Sequence, residues 1–153
     1  MEVRVPVNDC PLPRSGKANG LFDSVSYAPY PHSVPRARRR VAALALAWGC
    51  PGLAGNAGLV ASELCTNAVL HGCLRGRLFR VETSLRGGVL RVAVTDPRGE
   101  RLPQVRDAGR EDAFGRGLFL VAALADRWSA EPLAVGKTVW AEFRATDEAG
   151  PRC

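Results

Sequence analysis

Two polar side chains stand where helical periodicity predicts the buried side of a helix. In residues 59–72, LVASELCTNAVLHG, Glu63 and Asn67 are one turn apart and fall inside the apolar arc. The remainder of that arc is apolar: Leu59, Val60, Leu64 and Leu70. Burying an amide without a partner costs about 2–7 kcal/mol in an apolar reference state, so both groups need a hydrogen-bonding partner or a ligand. The helix alone leaves two interpretations open, a shared ligand pocket or bonds to other core groups.

A second carboxylate, Asp96, ends an apolar strand and precedes Pro97, Arg98 and Gly99. A carboxylate beside a turn glycine can accept a hydrogen bond from an exocyclic amine. Aspartate is also common in turns for its local hydrogen bonding, so a purely structural role stays open here.

The segment Gly115-Arg116-Gly117 follows a basic loop and opens an apolar helix. The free N–H groups and the dipole at a helix N-terminus attract anions, so this junction predicts a phosphate site. A plain connection between loop and helix is the alternative.

Two familiar nucleotide motifs are excluded by spacing. A P-loop ending at Gly136-Lys137-Thr138 needs an earlier glycine where Glu131 stands, and it needs a following helix where the sequence alternates as a strand. A dinucleotide fingerprint at Gly115 needs a third glycine where Leu120 stands.

The elements that must position these residues can be predicted from periodicity and breakers. Ser33 can cap the first helix, and the loop before Gly115 is long enough to act as a mobile lid. The predicted order is a strand at 21–28, helices at 33–48 and up to 72, a hairpin at 78–85 and 89–95, a lid at 97–115, a helix at 117–127, and strands at 128–134 and 137–145.

Length and composition predict one globular domain. The chain has 153 residues and a net charge of +6, with a flexible leader expected at 1–20, a domain at 21–145 and a tail at 146–153. The basic cluster Arg36, Arg38, Arg39 and Arg40 lacks interleaved aromatic residues, which favours a solvated helix face over a nucleic-acid surface. Five cysteines without zinc-type spacing, and no apolar leader or membrane span, predict a cytoplasmic protein with reduced thiols.

Four motifs occur in a recognisable order along the chain. They are E-L-x-x-N-A at 63–68, D-x-x-G at 96–99, G-R-G-L-x-L-V at 115–121 and G-K-T at 136–138. This set resembles the GHKL ATP-binding domain shared by DNA gyrase, Hsp90, histidine kinases and MutL. Within that superfamily it is similar to the small bacterial anti-sigma-factor serine kinases. The D-x-x-G motif departs from the superfamily pattern because Arg101 replaces a second glycine.

The resemblance implies an α/β, two-layer Bergerat-type fold, in which helices cover one face of a mixed, mainly antiparallel sheet. It implies ATP and Mg²⁺ as cofactors. Asn67 would bind Mg²⁺, Glu63 would be the catalytic base, and Arg116 would stabilise the transferred phosphate. The nucleotide-binding set implied by the resemblance is Asn67, Asp96 for the adenine amine, Gly99, Gly115, Arg116, Gly117, Leu118 and Thr138.

The activity implied by the resemblance is that of a protein serine/threonine kinase in transcription regulation. Its protein substrate would be an anti-sigma-factor antagonist, and a sigma factor is an optional second partner. A homodimer is another option, since relatives of this branch pair through the face bearing the first helix and strand. A nucleotide-gated interaction module that binds ATP without phosphoryl transfer is the main alternative, and a nucleic-acid-binding protein ranks behind both.

Overall fold

The structure is a computed structural model that describes residues 20–72, 76–97 and 113–145. Five strands and three α-helices make up these residues, with a short 3₁₀ turn at Pro51–Leu53 and a π-helical segment at Ala68–Gly72. The elements are β1 (Leu21–Tyr27), α1 (Ser33–Ala47), α2 (Ala54–Asn67), β2 (Phe79–Arg86), β3 (Val89–Asp96), α3 (Ala113–Leu124), β4 (Arg127–Pro132) and β5 (Lys137–Arg144). The predicted leader and tail lie outside the described residues.

The five strands form one sheet in the order β1-β2-β3-β5-β4. Each of the four strand pairings is antiparallel, and the tight hairpin predicted around Gly87 joins β2 to β3. Helix α2 lies on β3 and β5, and it also contacts α1 and α3. The predicted two-layer α/β architecture, with helices on one face of the sheet, is confirmed.

Strand alternation separates a helix-facing side of the sheet from an outer side. Along β5, Val139, Ala141 and Phe143 enter the core, whereas the residues between them face outward. The core joins these side chains to the apolar stripes of the helices, including Val41, Leu44, Val60, Leu64, Leu118 and Val121. The helix-facing side of β3 and β5 therefore carries the side chains that can meet α2.

Helix α1 begins and ends near its predicted limits, but its predicted cap is wrong. Ser33 is the first residue of α1, and its hydroxyl donates to the Ala28 carbonyl at 2.7 Å instead of binding an N–H group of the helix. His32 occupies the N-cap position without a capping hydrogen bond from its side chain. The hydroxyl thus fastens the start of α1 to the end of the first strand.

The predicted solvated arginine face is correct for three of its four members. Arg36, Arg38 and Arg39 are exposed, whereas Arg40 turns inward and binds Asp23 of β1. Its Nε and Nη2 donate to the two carboxylate oxygens at 2.8 and 2.6 Å. This fork is a bidentate ion pair that joins the first helix to the first strand.

Trp140 and the charged side chains around it cover part of the outer face of the sheet. Trp140 is 7% exposed although it points away from the helices. The guanidinium carbons of Arg91 and Arg127 lie 4.4 and 5.8 Å from its ring centroid, and its Nε1 donates to Glu131 at 3.1 Å. Glu142 lies 3.5 and 3.7 Å from the same two guanidinium groups. Charged side chains thus shield an aromatic ring on a face that the helices leave open.

Two cysteines within the described residues, Cys50 and Cys65, are buried free thiols, and burial raises the pKa of Cys50. Among the described residues no helix is long and apolar enough to span a bilayer.

Candidate functional site

Helix α2 presents the predicted polar pair beside the core. Asn67 is buried at 9% exposure and Glu63 is half-buried, one turn earlier. Their apolar neighbours on this face, Val60 and Leu64, belong to the core. Both side chains therefore occupy the side of α2 that periodicity predicted.

Gly117 of α3 is the residue pressed against this pair. A Cβ atom at Gly117 would lie 2.9 Å from Glu63 Oε2, 3.5 Å from Asn67 Oδ1 and 3.7 Å from Asn67 Nδ2. The bare backbone of α3 thus approaches both polar groups more closely than any larger residue would allow. The structure thus brings together three of the predicted site residues. Glu63 and Asn67 come from one motif, and Gly117 lies about fifty residues later in the chain.

The helix that carries Gly117 starts earlier than predicted. Helix α3 begins at Ala113, so Gly115, Arg116 and Gly117 lie inside it and not before its N-terminus. The expected glycine cradle ahead of the helix is therefore wrong. Gly115 still falls in the first turn, whose N–H groups have no partner within the helix and can receive an anion.

The α-helix also changes character directly after Asn67. The five residues of Ala68–Gly72 continue as a π-helix, which widens the turn and includes His71. Such π-helical turns are uncommon, and they frequently occur at functional sites. The sequence predicted a regular α-helix through Gly72, so this change of pitch is a correction.

At the far end of β3, Asp96 forms a buried ion pair with Lys137 of β5. Both side chains are 4% exposed, and Lys137 Nζ lies 3.2 Å from Oδ1 and 3.1 Å from Oδ2. Asp96 and Lys137 are also direct register partners between β3 and β5. Asp96 lies two residues after Val94 and Lys137 two residues before Val139, and both of these valines belong to the core, so the pair lies on the same side of the sheet as the helices.

The turn before Lys137 depends on glycine. Gly136 has a φ of +89°, and a Cβ there would overlap the carbonyl oxygen of Asp96 and lie 2.9 Å from Pro97 Cα. Only glycine adopts this conformation and this contact without strain. The glycine of the G-K-T motif thus brings the β4–β5 turn against the backbone of Asp96.

Two residues implied to bind the nucleotide have other environments. Thr138 points to the outer face, where its hydroxyl bonds to that of Thr95 at 2.8 Å, because it alternates with Lys137 along β5. Leu118 has no exposed surface and packs in the core, so its side chain stabilises α3. Gly99 lies outside the described residues, as do Arg98, Arg101 and most of the expected lid. The side chain of Arg116 is likewise not described.

Lys137 is the residue of this region that sequence reasoning missed. The G-K-T motif points only to its glycine and threonine. The missing signal was register, since the first residue of β5 pairs with the last residue of β3 in an antiparallel sheet and so shares its face.

The family comparison identifies a GHKL-type ATP-binding domain. Residues 20–143 match the model of the histidine kinase-like ATPase domain, and the chain belongs to that family. Membership of this family indicates an ATP-binding domain. Among solved structures, a similar fold is the histidine kinase domain from Erythrobacter litoralis EL346 blue-light activated histidine kinase, at 21% identity and a TM-score of 0.48. The alignment covers 75% of this chain and 60% of that one. A search of curated proteins gives no significant match.

Proposed function

We propose that the protein is an ATP-dependent protein serine/threonine kinase that phosphorylates an anti-sigma-factor antagonist. The observation that carries the proposal is the close approach of the Gly117 backbone to Glu63 and Asn67. A carboxylate and an amide oxygen, held beside a helix that has no side chain at the contact, suit phosphate chemistry better than core packing.

The donor groups fit magnesium and a triphosphate. Mg²⁺ takes oxygen ligands and usually keeps several waters, so a single amide oxygen such as Asn67 Oδ1 suffices for the protein's share. When bound, the metal neutralises phosphate charge. A Cβ at Gly117 would crowd the two oxygen-bearing side chains, so the bare backbone lets Glu63 and Asn67 keep the positions from which they would serve the metal and the phosphates.

Glu63 is our candidate for the general base. It would accept the proton of the substrate hydroxyl while that oxygen bonds to the γ-phosphorus of ATP. The bond from this phosphorus to the bridging oxygen breaks, and ADP leaves with the electron pair. Pure nucleotide binding requires no base, so the half-buried carboxylate one turn from Asn67 favours transfer over binding alone.

The first turn of α3 would hold the phosphates. The free N–H groups of this turn, up to that of Gly115, supply donors and a partial positive charge, and the Arg116 guanidinium would stabilise the transferred phosphoryl group. Asp96 would accept a hydrogen bond from the adenine amine at the other end of the nucleotide.

The partners belong to the same proposal. The protein substrate would be a small antagonist with an accessible serine or threonine, and a sigma factor would be a further binding partner. Homodimerisation would use the face that bears β1 and α1, as in relatives of the proposed branch. No nucleic acid is required for this activity.

Calorimetric titration of Mg-ATP tests the nucleotide site, and an ADP assay in the presence of a candidate substrate tests transfer. We expect Asn67→Ala to lower affinity for Mg-ATP by tenfold or more, because the metal loses its protein ligand. Glu63→Gln keeps the shape of the side chain and should bind Mg-ATP near wild-type affinity while losing transfer. ATP binding without ADP release for any partner would instead support the nucleotide-gated interaction module.

A further inference from the structure

The outer face of the sheet carries arginines that its own carboxylates do not neutralise. Each glutamate that strand alternation places on this face has a partner there: Glu82 pairs with Arg80, Glu142 with Arg91 and Arg127, and Glu131 with the Trp140 N–H. Arg86 and Arg144 stand on the same face, and within the described residues neither guanidinium has an ion-pair partner. Two positive charges therefore remain unbalanced in the described part of this face.

Strand register brings these two arginines to either side of one valine. Arg86 is the register partner of Val89, and Val89 is also the partner of Arg144 on its other side. Neighbouring strands are about 4.8 Å apart, so the backbones of the two arginines are about 10 Å apart. Val89 is half-buried and offers an apolar contact between the two cations.

A cleft of about 360 Å³ opens beside this row of side chains. It is lined by Phe22, Ser84, Arg86, Val89, Arg91 and Glu142. Phe22 belongs to the edge strand β1, and it is 53% exposed although it is a large apolar side chain. Aromatic residues and arginines are enriched where proteins bind each other. The cleft thus combines an exposed apolar anchor with adjacent positive charge.

Gly20 positions the side chain of Arg86. A Cβ at Gly20 would overlap Cγ of Arg86 and lie 2.8 Å from its Nε, so the stem of the arginine lies across the glycine backbone. An arginine packed in this way has lost part of its rotamer freedom before a partner arrives. The entropic cost of forming an ion pair is lower as a result.

We propose that this region, the hairpin-end surface formed by Arg86, Val89, Arg144 and the cleft beside them, docks an acidic segment of a partner protein. Two carboxylates three positions apart in an extended peptide are about 10 Å apart, which matches the spacing of the two arginines. An apolar side chain between the carboxylates would contact Val89 and Phe22. The surface faces away from the helices, so docking here does not obstruct the side of the sheet that meets α2.

A nucleic acid fits the hairpin-end surface less well than an acidic peptide does. Glu142 lines the cleft and Glu82 lies on the same face, and both repel a continuous phosphate backbone. Phe22 is also the one aromatic residue among the described residues that line the cleft, whereas the stacking of successive bases needs several rings.

A peptide titration followed by NMR tests the proposal, since this method detects millimolar affinities. The isotope-labelled full chain is titrated with a short synthetic peptide that contains Asp-Leu-Ser-Glu. We expect saturable shifts of the amides of Phe22, Arg86 and Arg144, and no shifts with the Asn-Leu-Ser-Gln peptide. Arg86→Glu should weaken binding about tenfold or more, because an attraction becomes a repulsion. Phe22→Ser should weaken it by about three- to tenfold through the lost apolar contact.

Arg39→Glu is the matched control, because it makes the same charge change at an exposed arginine of α1. Helix α1 lies on the opposite side of the sheet, and salt screens exposed charges over about 8–10 Å, so this variant should stay within about threefold of the wild-type affinity. Equal weakening by the two arginine variants would reduce the binding to net charge and overturn the proposal.

Four other results would also overturn the proposal. They are no shifts at millimolar peptide, shifts confined to α1, and tighter binding of oligothymidylate to the same amides, which would make the surface a nucleic-acid site. The fourth is concentration-dependent shifts of these amides without peptide, which would assign the surface to a second copy of the chain.

Discussion

Replacing Gly117 with alanine is the sharpest test of the site, because the change is one methyl group. The new Cβ would lie 2.9 Å from Glu63 Oε2 and 3.5 Å from Asn67 Oδ1. A carbon and an oxygen atom in van der Waals contact are about 3.5 Å apart, so the Glu63 carboxylate must move away by about 0.5 Å. The amide is at the edge of contact and moves less.

The two effects of this methyl group act in opposite directions. Alanine favours a helix by up to about 1 kcal/mol over glycine, whereas crowding a half-buried carboxylate costs a similar amount. We therefore expect the free energy of unfolding to change by less than about 1 kcal/mol in either direction. A misplacement of roughly 1 Å in a catalytic group can cost about a hundredfold in rate, so a smaller shift predicts a loss of about ten- to a hundredfold.

The assay combines denaturant unfolding, calorimetry with Mg-ATP and ADP release in the presence of a protein substrate. Gly55→Ala is the matched control, since Gly55 is a helical glycine of α2 where an added Cβ would meet nothing within 4 Å. It should gain stability and keep full nucleotide affinity. A Gly117→Ala protein with wild-type affinity and turnover would refute the placement of the phosphates beside Glu63 and Asn67.

Three further predictions concern the framework around the site. Gly136→Ala should lower the free energy of unfolding by about 3 kcal/mol or more, because the residue has a positive φ and an added Cβ would overlap a backbone carbonyl. Gly49→Ala is the control: Gly49 has a φ of +81° but open space around it, so this change should cost only about 1 kcal/mol. Arg40→Met should lower the free energy of unfolding in urea by about 2–4 kcal/mol, because it leaves the Asp23 carboxylate without its ion-pair partner, and adding Asp23→Asn should recover part of that loss. If the effects of the two substitutions on this free energy simply add, the pairing is contradicted. Burial, more than any nearby charge, raises the pKa of Tyr27 from 10.0 to about 12. Its contribution to stability is complete below about pH 10 and declines by up to about 3 kcal/mol as pH rises towards about 12, since the unfolded phenol ionises first; Tyr27→Phe should flatten this part of the stability profile.

Much of the fold could be predicted because its elements have clear periods and breakers. The alternation of residues 79–86 and 89–96 and the glycines between them indicate the hairpin, and Asn67 and Glu63 stand out because they interrupt an apolar stripe. The order of the strands in the sheet could not be predicted from local periodicity. Pairing of β3 with β5 depends on contacts across the sheet that no local pattern encodes.

The errors at the site have related causes. Glycines usually weaken a helix, so Gly115 was predicted to end the loop and Gly117 to begin the helix, but α3 already begins at Ala113 and Gly117 lies inside it in a close contact with α2. Thr138 and Lys137 differ by one position, and that difference places them on opposite faces of the sheet. Local sequence gives the residue types, whereas the sheet register decides which of them can meet.

The position of the first strand has a consequence for how the chain folds. β1 is the first described strand in the chain, yet it pairs with β2, and Leu21 lies opposite Leu85 after both long helices. Pairing β1 with β2 closes the long loop that contains both helices, and this carries a larger entropic cost than forming the β2–β3 or β4–β5 hairpin. We expect the hairpins to form early and β1 to join the edge of the sheet late. During synthesis, β1 leaves the ribosome with its partner strand still unmade, and the Asp23–Arg40 pair gives it a local contact with α1 in the meantime.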